Sequence, residues 1–270
     1  MSAINSTATL ERSKAVPVQA FRPIPLSRVV SVELRKMFDT RSGFWLMASI
    51  AITAVLATGA VIIFAPDDEI TYSTFAAAFG FPMSIILPMI AILSVTSEWS
   101  QRSGLTTFTL IPHRGRVVLA KAIATIGVAV TSMLLAMAIG VVGNLLGSAI
   151  TGVPATWDAS VSDLLYIVLG NILGMLVGFM LGVVIRNSAG AIVGYFVFSL
   201  VLPTLAEVLA QVTKWFDDVQ PWVDFNYAQT RLFNGDLTGE EWAHLGVTSI
   251  FWLIIPTIVG IRLVLRSEVK

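Results

Sequence analysis

Residues 162–185 read SDLLYIVLGNILGMLVGFMLGVVI, twenty-four positions of which Asp163 alone is charged. Wound as an α-helix at 1.5 Å per residue, such a stretch spans about 36 Å, enough to cross the roughly 30 Å hydrocarbon layer of a bilayer. In a soluble protein it would be a central core helix. Five further stretches of the same kind, at about 43–64, 74–97, 117–149, 189–212 and 243–265, leave too little polar sequence to cover a core of that size. The composition agrees. Of the 270 residues 56% are hydrophobic and 13% charged, against about a quarter charged in soluble domains. Mean hydropathy is +0.82. The expected fold is all-α, a polytopic membrane protein with six transmembrane helices.

Charge placement orients it. With both termini on the cytoplasmic side, fifteen of seventeen basic residues fall inside, all but Lys214 and Arg231, and twelve of seventeen acids fall outside. That asymmetry favours an even number of spans with cytoplasmic ends. Trp45 and Trp99 then sit at the inner interface, and Trp157, Trp215, Trp222 and Trp242 near the outer one. Formal net charge is zero, which gives no reason to expect nucleic acid as a partner.

Several chemistries are excluded by residue type. There is no cysteine, hence no thiolate metal site, disulfide or cysteine nucleophile, and only two histidines, His113 and His244. No Asp, Glu, Lys or Arg lies near the middle of a span; Lys121 and Glu207 come nearest. Ion-coupled carriers and intramembrane enzymes place ionisable groups there, so both classes are disfavoured. The cluster Glu240, Glu241 and His244 reads instead as the start of the sixth helix, with Thr238 and Glu241 forming a capping box. No catalytic, cofactor-binding or metal-ligating set is expected.

Gly170, Gly174, Gly178 and Gly182 repeat at four-residue spacing on one face of the fourth span, a surface for close approach of another helix, by default within the chain. Asn144 and Asn171 read as interhelical hydrogen-bonding groups. Pro82, Pro88, Pro203 and Pro256 interrupt the second, fifth and sixth spans and free backbone carbonyls there.

Residues 1–25 read as a mobile cytoplasmic tail. In 26–42, Leu26, Val29, Val30, Leu34, Met37 and Phe38 recur at helical spacing opposite Arg28, Ser31 and Arg35, which predicts an amphipathic interfacial helix. Glu33 falls inside the apolar stripe and calls for a cationic partner, for which Arg102 is the expected choice. The cytoplasmic loop 98–116 holds a short apolar piece between charges and offers a docking surface. The outer segment 213–242 is rich in aromatic residues.

The six-span layout, the Val32-Glu33-Leu-Arg-Lys36 helix, and the series Glu98…Gly104, Pro112-His-Arg114…Lys121 around the third span resemble the permease subunits of type-two ABC exporters. The resemblance covers about 26–268 and rests on the layout and this loose series together. It implies that the loop carries a coupling helix for a cytoplasmic ABC ATPase subunit, with Glu98, Arg102, Gly104, Pro112 and Arg114 as coupling residues. It implies also a second permease unit, as a homodimer or as a heterodimer with a different permease, in a bacterial inner membrane, and extracellular or re-entrant helices in 213–242. The chain contains no G-x-x-x-x-G-K-[ST] phosphate loop, so ATP and Mg are expected in the partner subunit and no cofactor in this one. The rival expectation is a non-transporting membrane anchor or assembly protein that docks a cytoplasmic partner.

Overall fold

The structure, a computed structural model, describes residues 24–100 and 114–266. Among these the chain is helical without a β-strand, and six helices are long and apolar enough to cross a membrane. The protein is an all-α, multi-pass membrane protein. Helix α1 (Leu26–Asp39) precedes the spans α2 (Arg41–Phe64), α3 (Tyr72–Ser100), α4 (Arg114–Thr151), α5 (Val161–Ile185) and α6 (Ser188–Val212). Two short helices, α7 (Lys214–Val223) and α8 (Phe225–Thr230), lead to the last span, α9 (Gly239–Arg266).

A single residue turns α1 into α2. Thr40 is extended (φ −91°, ψ 142°), and its hydroxyl accepts the Gly43 amide at 3.1 Å, capping α2. The corner is tight enough that a Cβ on Gly43 would lie 1.9 Å from the Met37 carbonyl oxygen. Glycine is therefore required at 43. At the other end of the bundle, Asp158 ties the α4–α5 loop to α3, accepting the Ser73 amide at 2.8 Å and its hydroxyl at 2.6 Å. Slight burial pushes the Asp158 carboxyl up, but the Ser73 and Thr71 hydrogen bonds outweigh it and hold the group below the usual carboxylate range.

Helix α5 is the centre. A Cβ on Gly178 would meet the Pro88 carbonyl oxygen of α3 at 2.7 Å, and one on Gly182 would meet Val95 at 3.2 Å. The other two glycines of the stripe face the segment between α6 and α9: Gly170 lies against Phe233 and Gly174 against the Gln229 amide. The stripe thus receives two different neighbours, both from this chain.

That segment folds back into the bundle. Gln229 Nε2 donates to the Gly170 carbonyl at 2.7 Å; Gly170 is ten positions past the Ser160 cap, about 15 Å along α5. Phe225 and Leu232 are buried, whereas Trp215 stays exposed, so the aromatic residues of 213–242 divide between interior and surface. Asn226 Nδ2 donates to the Phe198 carbonyl at 3.0 Å, and Trp252 Nε1 to the Val223 carbonyl at 2.7 Å. Phe198 and Trp252 lie in matching irregularities: π turns at Val197–Val201 and Ile250–Ile254, each ending two residues before a proline, Pro203 or Pro256. Proline lacks an N–H and crowds the carbonyl four residues back, and the helix answers by widening upstream of it. The Leu202 and Ile255 amides accordingly donate to Val197 and Ile250, five residues back.

Candidate functional site

Four charged side chains from three helices meet at the end of the bundle where α1 lies. Glu33 and Lys36 come from α1, Glu98 from the last turn of α3, and Lys121 from the second turn of α4. Lys121 Nζ is 2.5 Å from Glu33 Oε2 and 3.3 Å from Glu98 Oε1; Lys36 Nζ is 2.7 Å from Glu33 Oε1 and 3.2 Å from Glu98 Oε1. Lys121 also donates to the Ser94 carbonyl at 3.0 Å. Two carboxylates and two ammonium groups alternate, so the cluster is neutral as a whole.

Burial makes it consequential. Glu33, Glu98 and Lys121 are each no more than 5% exposed, while the Lys36 side chain is 43% exposed and forms the wet edge. A carboxylate removed from water persists only with its charge matched and its oxygens hydrogen-bonded, and both Glu33 oxygens are engaged. Partial burial pulls the Lys36 ammonium down, yet the hydrogen bonds and charges of Glu33 and Glu98 together hold it above the ordinary lysine value of 10.5.

The local sequence explains why the groups converge. Val29, Glu33 and Met37 occupy successive turns of the buried face of α1, so the carboxylate points with the apolar residues into the bundle. Phe38, expected in that stripe, is half-exposed; 100° from Met37, it lies on the flank shared with Ser31. Arg102 is the partner expected for Glu33; the cations that the described residues bring to it are Lys121 and Lys36. The reason is that α1 packs along α4 and places its carboxylate beside a lysine 88 positions away. Arg102, Gly104 and Pro112 lie outside the described residues, as does 1–23, and Arg114 opens α4. The signal available for Lys121 was its isolation, as the one charged residue within an apolar run matched to a carboxylate within an apolar stripe.

The cluster brackets the loop. Glu98 stands three positions before residue 101 and Lys121 eight positions after residue 113, so the ion pairs join both feet of 101–113 to α1.

Two other places bring polar side chains together. A groove of about 570 Å³ opens between α3 and α5 near the opposite end, lined by Ser73, Gly80, Phe81, Ser84, Ile167 and Phe233 among others. It has no charged lining residue, and its serine hydroxyls are spent on Asp158 and on the Phe81 carbonyl. Around His244, Glu240 Oε1 lies 3.7 Å away and the Trp222 ring stands edge-on at 4.3 Å. Glu241 is occupied in capping α9 together with Thr238. Among the described residues no group of three or more His, Asp or Glu is arranged to hold a metal ion. No protein-family model matches the chain, and no curated protein matches it.

Proposed function

We propose that this chain is the permease subunit of an ATP-driven exporter, in which the loop between α3 and α4 receives the stroke of a separate ATPase subunit and the charge cluster passes it to α1. The observation that carries the reading is the set of buried ion pairs joining both feet of that loop to α1. Few structural needs call for four ionised groups at a helix junction, since apolar side chains of equal volume generally stabilise such a place as well. A junction that must move as one body gains from pairs that fix its register. The basic asymmetry supports cytoplasmic termini, and with them the loop and cluster on the side where ATP is held. Two copies would frame the path in a bacterial inner membrane, with ATP and Mg bound by the partner.

The test is co-purification of the chain with the ABC ATPase encoded beside it, followed by ATP hydrolysis in lipid nanodiscs with and without the permease. A stable complex with permease-dependent hydrolysis is expected. Lys36→Gln, at the wet edge where the fold tolerates change best, should lower that stimulation while leaving the complex intact. Absence of any ATPase complex with the chain folded and monodisperse would refute the proposal and favour the anchor or assembly role.

A further inference from the structure

The apolar stripe of α1 is consumed by the protein. Val29, Glu33 and Met37 are buried against the bundle, and Met37 belongs to the same core as Ile50 of α2, Val118 of α4 and Val264 of α9. What remains is the opposite face. Arg28 and Arg35, two turns apart, lie on it with Val32 between them, and the pattern continues through Phe38, Arg41, Phe44 and Trp45, all exposed. Arg116 joins it at the start of α1, where its guanidinium donates to the Ile24 carbonyl at 2.7 Å. The acids nearby are already spent: Glu33 and Glu98 are neutralised inside the cluster, leaving Asp39 as the one exposed acid of α1. Four arginines face one aspartate.

From this charge and its position we infer that the outward face of α1 is a docking surface for the phosphate headgroups of anionic phospholipids in the leaflet at this end of the bundle. Lys121 is seven residues past Arg114, about 10 Å along α4, so α1 sits beside the ends of the spans at headgroup level with its arginines directed away from the protein. Guanidinium groups take phosphate oxygens in pairs, which ammonium groups do not. Hydrophobic side chains interleaved with cations are the composition of surfaces that rest in the headgroup region, Val32, Phe38 and Trp45 entering among the upper methylenes. The inference stands apart from the exporter proposal, since an anchor protein would carry the same surface.

The full chain, delipidated in a non-ionic detergent, would be titrated with dioleoyl phosphatidylglycerol or dioleoyl phosphatidylcholine and bound lipid counted by native mass spectrometry, with no other protein present. The anionic lipid should bind more than tenfold more tightly, and raising the salt should erode the difference. R28Q/R35Q/R41Q should abolish the preference, whereas R262Q/R266Q on α9, at the same end, should keep it. If the triple variant does not fold, Arg35→Gln alone should weaken phosphatidylglycerol binding about fivefold, near 1 kcal/mol for each basic residue. Equal binding of the two lipids by the native chain overturns the inference and leaves the face to a protein partner. Retention of the full preference by a folded triple or single variant overturns it equally.

Discussion

Replacing Lys121 by methionine tests the charge cluster most directly. The native arrangement balances two carboxylates against two ammonium groups, and Lys121 is the buried cation that touches both acids, at 2.5 and 3.3 Å. At an effective dielectric of 20 each contact is worth about 5–7 kcal/mol before desolvation, which takes back several kcal/mol for each ion. Net loss on breaking a buried pair is about 3–5 kcal/mol, because an uncompensated charge is left behind. Methionine preserves the volume but leaves Glu33 and Glu98 with Lys36 alone, whose half-exposed ammonium moderates the penalty, so Lys121→Met should cost about 3 kcal/mol. Adding Glu33→Gln restores neutrality, and K121M/E33Q should be more stable than K121M by about 1–2 kcal/mol although it carries one more substitution. Equilibrium unfolding in mixed detergent and SDS micelles, followed by tryptophan fluorescence and circular dichroism, measures the native chain, K121M, E33Q and the double variant. A Lys121→Met variant within about 1 kcal/mol of the native chain, or strictly additive single variants, would refute the coupled cluster.

Gly178→Ala forces a methyl toward the Pro88 backbone at 2.7 Å and should destabilise by about 1–3 kcal/mol, while Gly174→Ala, facing only the end of the Gln229 side chain at 3.2 Å, should cost less in the same assay. Asn226→Leu leaves the Phe198 carbonyl without its amide donor, and should lower stability by about 1–2 kcal/mol and speed hydrogen exchange across 213–238. A Cβ on Gly80 meets nothing within 4 Å, so Gly80→Trp should fill the groove between α3 and α5 without loss of stability; if cargo passes there, transport falls while ATPase assembly is unchanged. Lys36 has a folded pKa above 10.5, so its contribution is complete below the unfolded value and is lost as pH rises through the higher folded one; unfolding titrations from pH 7 to 10 should show no loss that Lys36→Gln abolishes.

Much of this is legible in the amino-acid sequence. The spans follow from hydropathy, because a bilayer-crossing helix needs nothing but length and apolarity, and the six observed helices enclose the stretches expected. Thr238 and Glu241 close the capping box that their spacing announces, since a cap is made within one turn. Glu33 was recognisable as a charge out of place, for the helical wheel alone puts it among Val29 and Met37. Its partner was not. The pairing with Lys121 depends on how α1 lies across α4, which no local pattern encodes.

The segment between α6 and α9 shows the same division. Its aromatic content marks it as a place where apolar and polar surroundings meet, but whether it lies on the bundle or enters it turns on Gly170 leaving room for Phe233 and on three backbone carbonyls, those of Gly170, Phe198 and Val223, taking side-chain donors. The prolines at 203 and 256 foretold broken ladders; that both become π turns packed on each other through Phe198 and Trp252 emerged only in three dimensions. Sequence by itself determined the six spans, the amphipathic helix before them and the isolation of Glu33 and Lys121, because hydropathy, capping and periodicity act within a few residues. Tertiary structure alone decided that these charges meet with Lys36 and Glu98 in one neutral cluster, because the cost of burying a charge is settled only where distant helices bring its counter-charge.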